Sequence, residues 1–245
     1  MRSEWYGEDL AYIHDVGFGD FALGAAPGML EILRRSEIRG GLVVDLGCGS
    51  GLWARELARA GYRVLGIDIS EDMISIARSR VPEAEFRVAS VFEAEIPPCE
   101  AVTSVSEVLN YLFDPRNDAP TLAQLFLRVY EALAPGGVFV FDLAEPGQTP
   151  RGGAIQGFTE GEDWMVLYEA EEDRGTLTRR ITTFRKEGEH YRRTDETHRQ
   201  RLYRAPDVAR MLRRVGFRVR TIRGYGAYRL RRAHAAFIAR KIGVR

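Results

Sequence analysis

Between residues 40 and 145, short apolar runs alternate with segments of helical periodicity. The runs GLVVDLG, YRVLGID, AEFRVAS, CEAVTSVSEV and VFVFDLA are typical of buried parallel strands. The segments SGLWARELARAG, SEDMISIARSR and APTLAQLFLRVYEALAPGG place their apolar residues at helical spacing. This order predicts an α/β fold built on a doubly wound, Rossmann-like sheet with right-handed crossovers.

After residue 150 the pattern changes to strict alternation of apolar and polar positions. Apolar and polar residues alternate in the segments WMVLYEAEED, GTLTRRITTFRKEG and EHYRRTDETHRQRLY, which are separated by turns. This pattern predicts antiparallel strands with one face exposed to solvent. A helix, APDVARMLRRVGF, and two closing strands, RVRTIRGYG and HAAFIARKI, follow. We therefore expect a seven-stranded mixed sheet with a small antiparallel β insertion after strand five.

The N-terminal segment has a helical pattern that we expect to be interrupted at Pro27-Gly28. The whole chain, 1–245, then forms a single domain with four parts. These are an N-terminal helical lid (1–40), a core (41–149), the antiparallel insertion (150–205) and a closing helix with strands (206–245).

Charge and cysteine content narrow the class of protein. Lys and Arg number 35 in total and so do Asp and Glu, so no net charge favours nucleic acid or an anionic membrane as a partner. The two cysteines form no C-x-x-C pair, which argues against a disulfide scaffold and a metal site. Neither a signal peptide nor a membrane-spanning apolar stretch is evident, and we expect a cytoplasmic protein.

The stretch VVDLGCGSG places three glycines, Gly47, Gly49 and Gly51, directly after the first strand. Glycines let the backbone turn sharply and bring its N–H groups close to a ligand. The helix that begins near Ser50 adds a partial positive charge that suits a carboxylate or phosphate. Asp68 ends the second strand, where a carboxylate accepts hydrogen bonds from ribose hydroxyls. The ligand is therefore an adenosine-type molecule with an anionic or zwitterionic group.

Two cofactor classes fit such a turn. A dinucleotide turn reads G-x-G-x-x-G, whereas here Leu52 stands three positions after Gly49. Asp45 precedes the first glycine by two residues, and its carboxylate repels a pyrophosphate but attracts an ammonium or sulfonium group. The pattern favours S-adenosyl-L-methionine over NAD.

VVDLGCGSG followed by GIDIS resembles motif I and the acidic strand end of class I S-adenosylmethionine-dependent methyltransferases, and LAPGGVFVFD resembles a later segment of that family. The resemblance implies that Gly47 and Gly49 contact the methionine end of the cofactor and that Asp45 orients its ammonium group. It also implies that Asp68 holds the ribose. The cofactor-binding residues expected in this way are Asp45, Gly47, Cys48, Gly49, Gly51, Asp68, Ile69, Met73, Ser90, Val91 and Ser106, with Ile69 and Met73 flanking the adenine.

Three segments should face the transferred methyl group: residues 106–114 after strand four, the N-terminal lid, and the loop between the closing strands. YIHDVGFGDFA and DETHRQRLYRAPDVARMLRRVGF resemble segments of aminosugar N,N-dimethyltransferases, in which the Tyr and His of the two loops stand exchanged. That resemblance makes His14 and Tyr111 the catalytic candidates. The substrate-binding candidates are Tyr12, Asn110, His198, Tyr225, Tyr228 and Arg229, although strand alternation also fits His198 as a surface cross-strand partner.

The sequence thus predicts methyl transfer from S-adenosyl-L-methionine to nitrogen or oxygen of a small molecule. Direct displacement at sulfonium depends on alignment and exclusion of water, so the sequence identifies the donor better than the acceptor. Two alternatives stay open, a non-catalytic S-adenosylmethionine-binding regulator and an NAD-dependent oxidoreductase. We expect no nucleic-acid or membrane partner, and the pattern is compatible with a homodimer.

Overall fold

The computed structural model describes residues 5–243, so the first four residues of the predicted lid lie outside the described part. In chain order the strands are β1 Leu42–Leu46, β2 Arg63–Asp68, β3 Glu85–Val88, β4 Cys99–Ser104, β5 Leu133–Ala144, β6 Ala154–Glu160, β7 Trp164–Asp173, β8 Thr176–Glu187, β9 His190–Arg201, β10 Phe217–Ile222, β11 Gly224–Tyr225, β12 Tyr228–Arg229 and β13 His234–Lys241. The helices are α1 Glu8–Gly17, α2 Asp20–Arg35, α3 Leu52–Arg59, α4 Glu71–Arg80, α5 Ala119–Ala132 and α6 Ala205–Val215.

Seven of the strands form one sheet in the order β10-β13-β5-β4-β1-β2-β3. Strands β1 to β5 pair in parallel, and β13 runs antiparallel to both β5 and β10. The prediction of a doubly wound, seven-stranded mixed sheet is therefore confirmed. The strand order reverses between β1 and β4, and open α/β sheets bind ligands beyond the carboxyl ends of the strands at such a point.

Each face of the sheet is covered by its own apolar core. On one face α5 and α6 pack against the strands through buried side chains such as Phe126 and Leu212. On the other face α2, α3 and α4 contribute Leu33, Trp53 and Ile74. Because both faces are covered, the central strands read as nearly continuous apolar runs rather than alternating ones.

Helix ends follow from local polar residues. Ser70 caps α4, with its Oγ accepting a hydrogen bond from the Met73 N–H at 3.1 Å. Asp118 caps α5 in the same way, accepting from the Thr121 N–H at 2.8 Å. Gly216 ends α6 with a φ of 117°, a conformation that only glycine adopts readily. The caps of α4 and α5 fix the starts of the helices that follow β2 and β4.

The N-terminal break was predicted at the wrong place. The chain bends between α1 and α2, at Phe18 and Gly19, and Pro27 lies inside the continuous helix α2. A proline in a helix removes the hydrogen bond to the carbonyl four residues earlier, here that of Leu23, and Leu23 is a partly exposed residue. Within residues 5–243, no single helix has the length and apolar composition to cross a membrane, and only the pair α1–α2, bent by 58°, passes that test together.

The insertion forms a separate four-stranded antiparallel sheet in the order β6-β7-β8-β9. Its strands alternate as the sequence predicts, with Trp164, Val166, Ala170 and Leu177 buried on one face. The opposite face is largely exposed. This second sheet, called the small sheet below, provides the surface against which the N-terminal segment packs.

Gly28 should tolerate no side chain, because a Cβ there would lie 2.2 Å from the carbonyl carbon of Tyr225. We expect Gly28→Ala to lower the free energy of unfolding by at least about 1–3 kcal/mol, the usual cost of overpacking a core. Urea denaturation monitored by circular dichroism measures the change. Gly40→Ala is the matched control, since a Cβ at Gly40 meets no atom within 4 Å. Equal stability of the two variants would contradict the close packing of α2 against β11.

Candidate active site

The glycine turn between β1 and α3 lies at the point where the strand order reverses. Gly47, Gly49 and Gly51 have φ values of 74°, 52° and 78°, all in the left-handed region that favours glycine. A Cβ on Gly47 would lie 2.4 Å from the Val108 side chain, whereas a Cβ on Gly49 would meet nothing within 4 Å. Val108 therefore leaves no room for a side chain at Gly47, whereas Gly49 faces open space, and both glycines line a cavity at this edge of the sheet.

Asp68 lines the same cavity from the end of β2. Its Oδ2 accepts a hydrogen bond from the Gly49 N–H at 2.9 Å, and its Oδ1 accepts one from the Ser70 N–H at 2.9 Å. Burial raises the pKa of Asp68, and these backbone hydrogen bonds oppose the shift. Each carboxylate oxygen has one further acceptor direction, so Asp68 has the capacity to bind the two adjacent hydroxyls of a ribose.

Asp45, Cys48 and Gly51 are not among the described residues that line the cavity. Asp45 is buried and accepts a hydrogen bond from Thr103 Oγ1 at 2.7 Å, and burial raises its pKa to about 7. Cys48 is also buried, and burial raises the pKa of its thiol well above the ordinary value. Gly51 packs its Cα against α4, where a Cβ would lie 3.1 Å from Ala77. These three residues shape the turn from behind.

The opposite wall of the cavity comes from the loops after β2 and β3. It includes Ile69, Met73, Ser90, Val91 and, not predicted from the sequence, Phe92. Apolar side chains dominate this wall, as a flat adenine ring would require.

Ser90 does not offer a free hydroxyl to this wall. Its Oγ donates to Asp114 Oδ2 at 2.6 Å and accepts from the Phe92 N–H at 3.2 Å. Asp114 itself lines the cavity, and the guanidinium of Arg116 lowers the pKa of its carboxyl to about 2. The sequence placed Asp114 at the end of the segment 106–114 but predicted no binding role for it, because it lies in an irregular loop. It supplies a carboxylate beside Ser90, the residue that was predicted.

The tip after β4 is held in an unusual backbone conformation. Ser106 and Glu107 have φ values of 72° and 61°, although neither is glycine. The Asp142 carboxylate accepts hydrogen bonds from both N–H groups, at 3.1 and 2.8 Å. This arrangement brings Ser106, Val105 and Val108 to the cavity. Burial raises the pKa of Asp142 to about 6.

A group of aromatic side chains closes the remaining side of the cavity. Tyr6, His14, Tyr111 and Phe113 line it, and Tyr6 lies between the two residues predicted as catalytic. The hydroxyls of Tyr6 and Tyr111 are 3.0 Å apart, and the rings of Tyr6 and His14 have centroids 5.3 Å apart. Phe113 stacks on Tyr111 with centroids 4.5 Å apart. His14 and Tyr111 are thus brought together through Tyr6, which the sequence did not identify.

His14 and His198 each have one unpartnered nitrogen. Among the described residues, buried Nδ1 of His14 and buried Nδ1 of His198 have no hydrogen-bond partner. Burial lowers the pKa of His14 to about 4, so its ring is neutral at physiological pH. His198 is 1% exposed, with its Nε2 2.7 Å from Glu196 Oε2, so its reading as a surface cross-strand partner is wrong. It contacts the rings of Tyr6 and Phe113 from outside the cavity lining.

The other predicted substrate-binding residues lie away from the cavity lining. Asn110 is buried and hydrogen-bonds both backbone groups of Ala144 at 3.0 Å. Tyr12 donates to Asp163, and Tyr225 is buried in the core with its hydroxyl 2.9 Å from Asp142. Tyr228 packs on the Phe21 ring, and Arg229 is exposed. The loop between β10 and β13 folds into the hairpin β11–β12, which packs on α2 and turns these tyrosines inward.

The N-terminal segment closes the cavity because two parts of the protein hold it. Glu196 on the small sheet accepts hydrogen bonds from the Tyr6 and Gly7 N–H groups, at 2.9 and 3.0 Å. Ser70 Oγ donates to the Tyr6 carbonyl at 2.8 Å. Arg192 Nε donates to Asp9 Oδ2 at 2.8 Å. The segment therefore bridges the end of β2 and the small sheet.

Known proteins share both the sequence of the core and the fold. Residues 43–137 match the family described as "Methyltransferase domain". The chain is 29% identical over 193 residues to "Putative methyltransferase YqeM" of Bacillus subtilis (strain 168), covering 74% of this chain and 75% of that protein.

Solved structures are similar over nearly the whole chain. An S-adenosylmethionine-dependent methyltransferase from Clostridium acetobutylicum ATCC 824 gives a TM-score of 0.81 at 19% identity, covering 96% of this chain and 98% of that one. The sugar N-methyltransferase KedS8 from Streptoalloteichus sp ATCC 53650 gives a TM-score of 0.76 at 18% identity, covering 96% of this chain and 92% of that one. At such identity these two likenesses establish the fold.

Removing the Asp68 carboxylate should weaken binding of S-adenosylhomocysteine, because the variant loses charge-assisted hydrogen bonds to the ribose. We expect Asp68→Ala to cost roughly 1–3 kcal/mol, or about 5- to 150-fold in Kd, by isothermal titration calorimetry. Glu83→Ala, an exposed carboxylate outside the cavity lining, is the control. Unchanged affinity in an Asp68→Ala protein with intact circular dichroism would show that Asp68 does not hold the ribose.

The histidines His14 and His234 should titrate on opposite sides of the ordinary pKa of 6.5. Burial lowers the pKa of His14 to about 4. Burial alone would also lower the pKa of His234, but the hydrogen bond and charge of Glu107 outweigh it and raise the pKa. The stability that neutral His14 contributes is then lost as pH falls from 6.5 towards 4. The contribution of His234 is complete below pH 6.5 and is lost as pH rises through its folded pKa.

Histidine ring NMR over pH 4–9 measures both values, with His14→Gln and His234→Gln used for assignment. The chain has four histidines, so the spectrum is simple. A His14 ring that becomes protonated at a higher pH than the His234 ring would contradict the two environments.

Proposed function

We propose that the chain is an S-adenosylmethionine-dependent methyltransferase of the class I fold and that it methylates nitrogen or oxygen of a small molecule. The enclosure of the cavity carries the proposal. Glu196, Ser70 and Arg192 hold the N-terminal segment across the acceptor side. A polynucleotide or a folded protein would need an open groove at this point, whereas a small acceptor fits behind the closed segment.

The aromatic group at this end suits an acceptor with a hydrogen-bonding nucleophile. Tyr6 and Tyr111 share a hydrogen bond between their hydroxyls, and burial raises the pKa of both, so they stay protonated at neutral pH. A hydroxyl group could accept from one tyrosine hydroxyl while it donates to the His14 ring. A neutral amine could donate to the same ring and keep its single lone pair free for the methyl carbon. Apolar Phe113 excludes water from the same volume. Methyl transfer by direct displacement benefits from this alignment and dryness.

The low pKa of His14 limits its role. A base with a pKa of about 4 takes a proton from an amine or alcohol only at a large energetic cost. We therefore propose that the unpartnered Nδ1 of His14 accepts a hydrogen bond from the methyl acceptor. This hydrogen bond orients the lone pair of the acceptor towards the methyl carbon. In the reaction the acceptor lone pair forms the new bond to carbon while the carbon–sulfur bond breaks. The acceptor then releases its proton to solvent, not to His14.

Relatives support a small acceptor without fixing which one. KedS8 is described as a sugar N-methyltransferase, and it shares the fold at 18% identity. An amino group on a sugar is therefore one acceptor class to test, beside phenols, alcohols and other amines.

Release of S-adenosylhomocysteine in the presence of such an acceptor panel tests the proposal. We expect turnover with at least one small amine or hydroxyl compound, and mass spectrometry should find a gain of one methyl group on that compound. Binding of S-adenosylmethionine without turnover on any small or macromolecular acceptor would favour a non-catalytic regulator instead. Methylation of RNA or protein alone would overturn the small-molecule proposal.

Loss of either polar ring should slow methyl transfer without weakening cofactor binding. We expect His14→Phe and Tyr111→Phe each to lower kcat/KM by about 10- to 100-fold, the value of one or two lost hydrogen bonds to the acceptor. The Kd of S-adenosylhomocysteine should change by less than about 2-fold, since neither ring supplies a hydrogen bond to the ribose. Tyr191→Phe, on an exposed position of β9, is the matched control. Wild-type kcat/KM in both variants would remove these residues from the reaction.

A further inference from the structure

A second concave surface lies at the same sheet edge as the cofactor cavity, on the far side of β5. Three segments build it: residues 145–146 after β5, residue 204 before α6, and the connection that leads into β13. We call it the arginine cleft, and its volume is about 450 Å³. Of the described residues, none lines both the arginine cleft and the cofactor cavity.

The cleft is lined by four guanidinium groups and one carboxylate. The guanidiniums belong to Arg204, Arg223, Arg231 and Arg232, and all four residues are exposed. The carboxylate is that of Glu145, which accepts from Arg223 and from the Ala205 N–H at 3.0 Å. Glu145 therefore neutralises one arginine and leaves an excess of positive charge in the cleft.

Three of the arginines are not satisfied by the protein itself. Within residues 5–243, the side chains of Arg204, Arg231 and Arg232 make no hydrogen bond and no ion pair. Arg116, Arg179 and Arg192, in contrast, each pair with a carboxylate. Guanidinium groups without protein partners have free donors in the fork geometry that binds oxyanions.

His234 connects the cleft to the tip after β4. It lines the cleft, its Nδ1 is 2.8 Å from the Arg232 carbonyl, and its Nε2 is 2.6 Å from Glu107 Oε1. Glu107 precedes the turn that carries Tyr111 and follows Ser106, which lines the cofactor cavity. An anion in the cleft would therefore lie one hydrogen-bonded side-chain pair away from the active-site loop.

We propose that the arginine cleft is a binding site for the oxyanion group, phosphate or carboxylate, of a small molecule. Arg204, Arg231 and Arg232 supply the positive charge that Glu145 does not neutralise. His234 lines the cleft beside them, with both ring nitrogens hydrogen-bonded within the protein. The site is distinct from the cofactor cavity, so a ligand in the cleft does not displace the cofactor.

Isothermal titration calorimetry with pyrophosphate and with citrate tests the proposal on the full chain. We expect saturable binding of at least one of these probes, and comparison of the two distinguishes a phosphate site from a carboxylate site. The double variant Arg231→Gln/Arg232→Gln should bind at least about 10-fold more weakly, because two charge-assisted contacts are lost. Arg229→Gln, on the same connection but outside the cleft, should bind within about 2-fold of wild type.

Two further measurements distinguish a specific binding site from nonspecific attraction to a positively charged surface. The ring resonances of His234 should shift on addition of the probe, and saturating S-adenosylhomocysteine should leave the probe's Kd unchanged. The proposal is overturned by the absence of saturable binding, by equal weakening in Arg229→Gln, or by competition with S-adenosylhomocysteine. Binding of the cofactor product by the same protein sample shows separately whether the methyltransferase site is intact.

Discussion

The hydrogen bond from the Gly49 N–H to the Asp68 carboxylate is the contact on which the proposed cofactor site depends. It joins the turn after β1 to the end of β2, two segments that meet only because the strands are parallel neighbours. The turn reaches Asp68 because its glycines adopt left-handed conformations that other residues avoid. The same carboxylate binds the Ser70 N–H, and Ser70 caps α4. One side chain thus fixes the turn, the strand end and the start of the next helix.

A second group of contacts is centred on Glu107, beside the acceptor side of the cavity. Glu107 accepts hydrogen bonds from Arg179 and Gln200 of the small sheet, at 3.1 and 2.8 Å, and contacts His234 of the main sheet at 2.6 Å. Burial alone would raise the pKa of Glu107, but Arg179 and His234 outweigh burial and lower it. A buried carboxylate without these partners would be strongly destabilising, so the small sheet and the main sheet are tied in one arrangement. That arrangement positions Tyr111 opposite the N-terminal segment.

Local signals predicted the parts of the structure that depend on local sequence. Apolar runs, helical spacing and cap residues identified the sheet, the helices and the glycine turn, and Gly49 and Asp68 do line one cavity. The residues that close the cavity could not be found in this way. Tyr6 and Asp114 lie in irregular segments, and their positions depend on contacts with Glu196 and Arg116 that are distant in sequence or specific to the folded loop. Pro27 gave a wrong prediction of a helix break, because tertiary packing keeps α2 continuous through this proline.

The central claim is that the cavity at the ends of β1 and β2 binds a sulfonium nucleoside rather than a dinucleotide. Calorimetric titration of the folded wild-type protein with S-adenosylhomocysteine and, separately, with NADH tests this claim most directly. The account predicts saturable binding of one S-adenosylhomocysteine per chain and no measurable heat with NADH. Tight binding of NADH together with no binding of S-adenosylhomocysteine would contradict it.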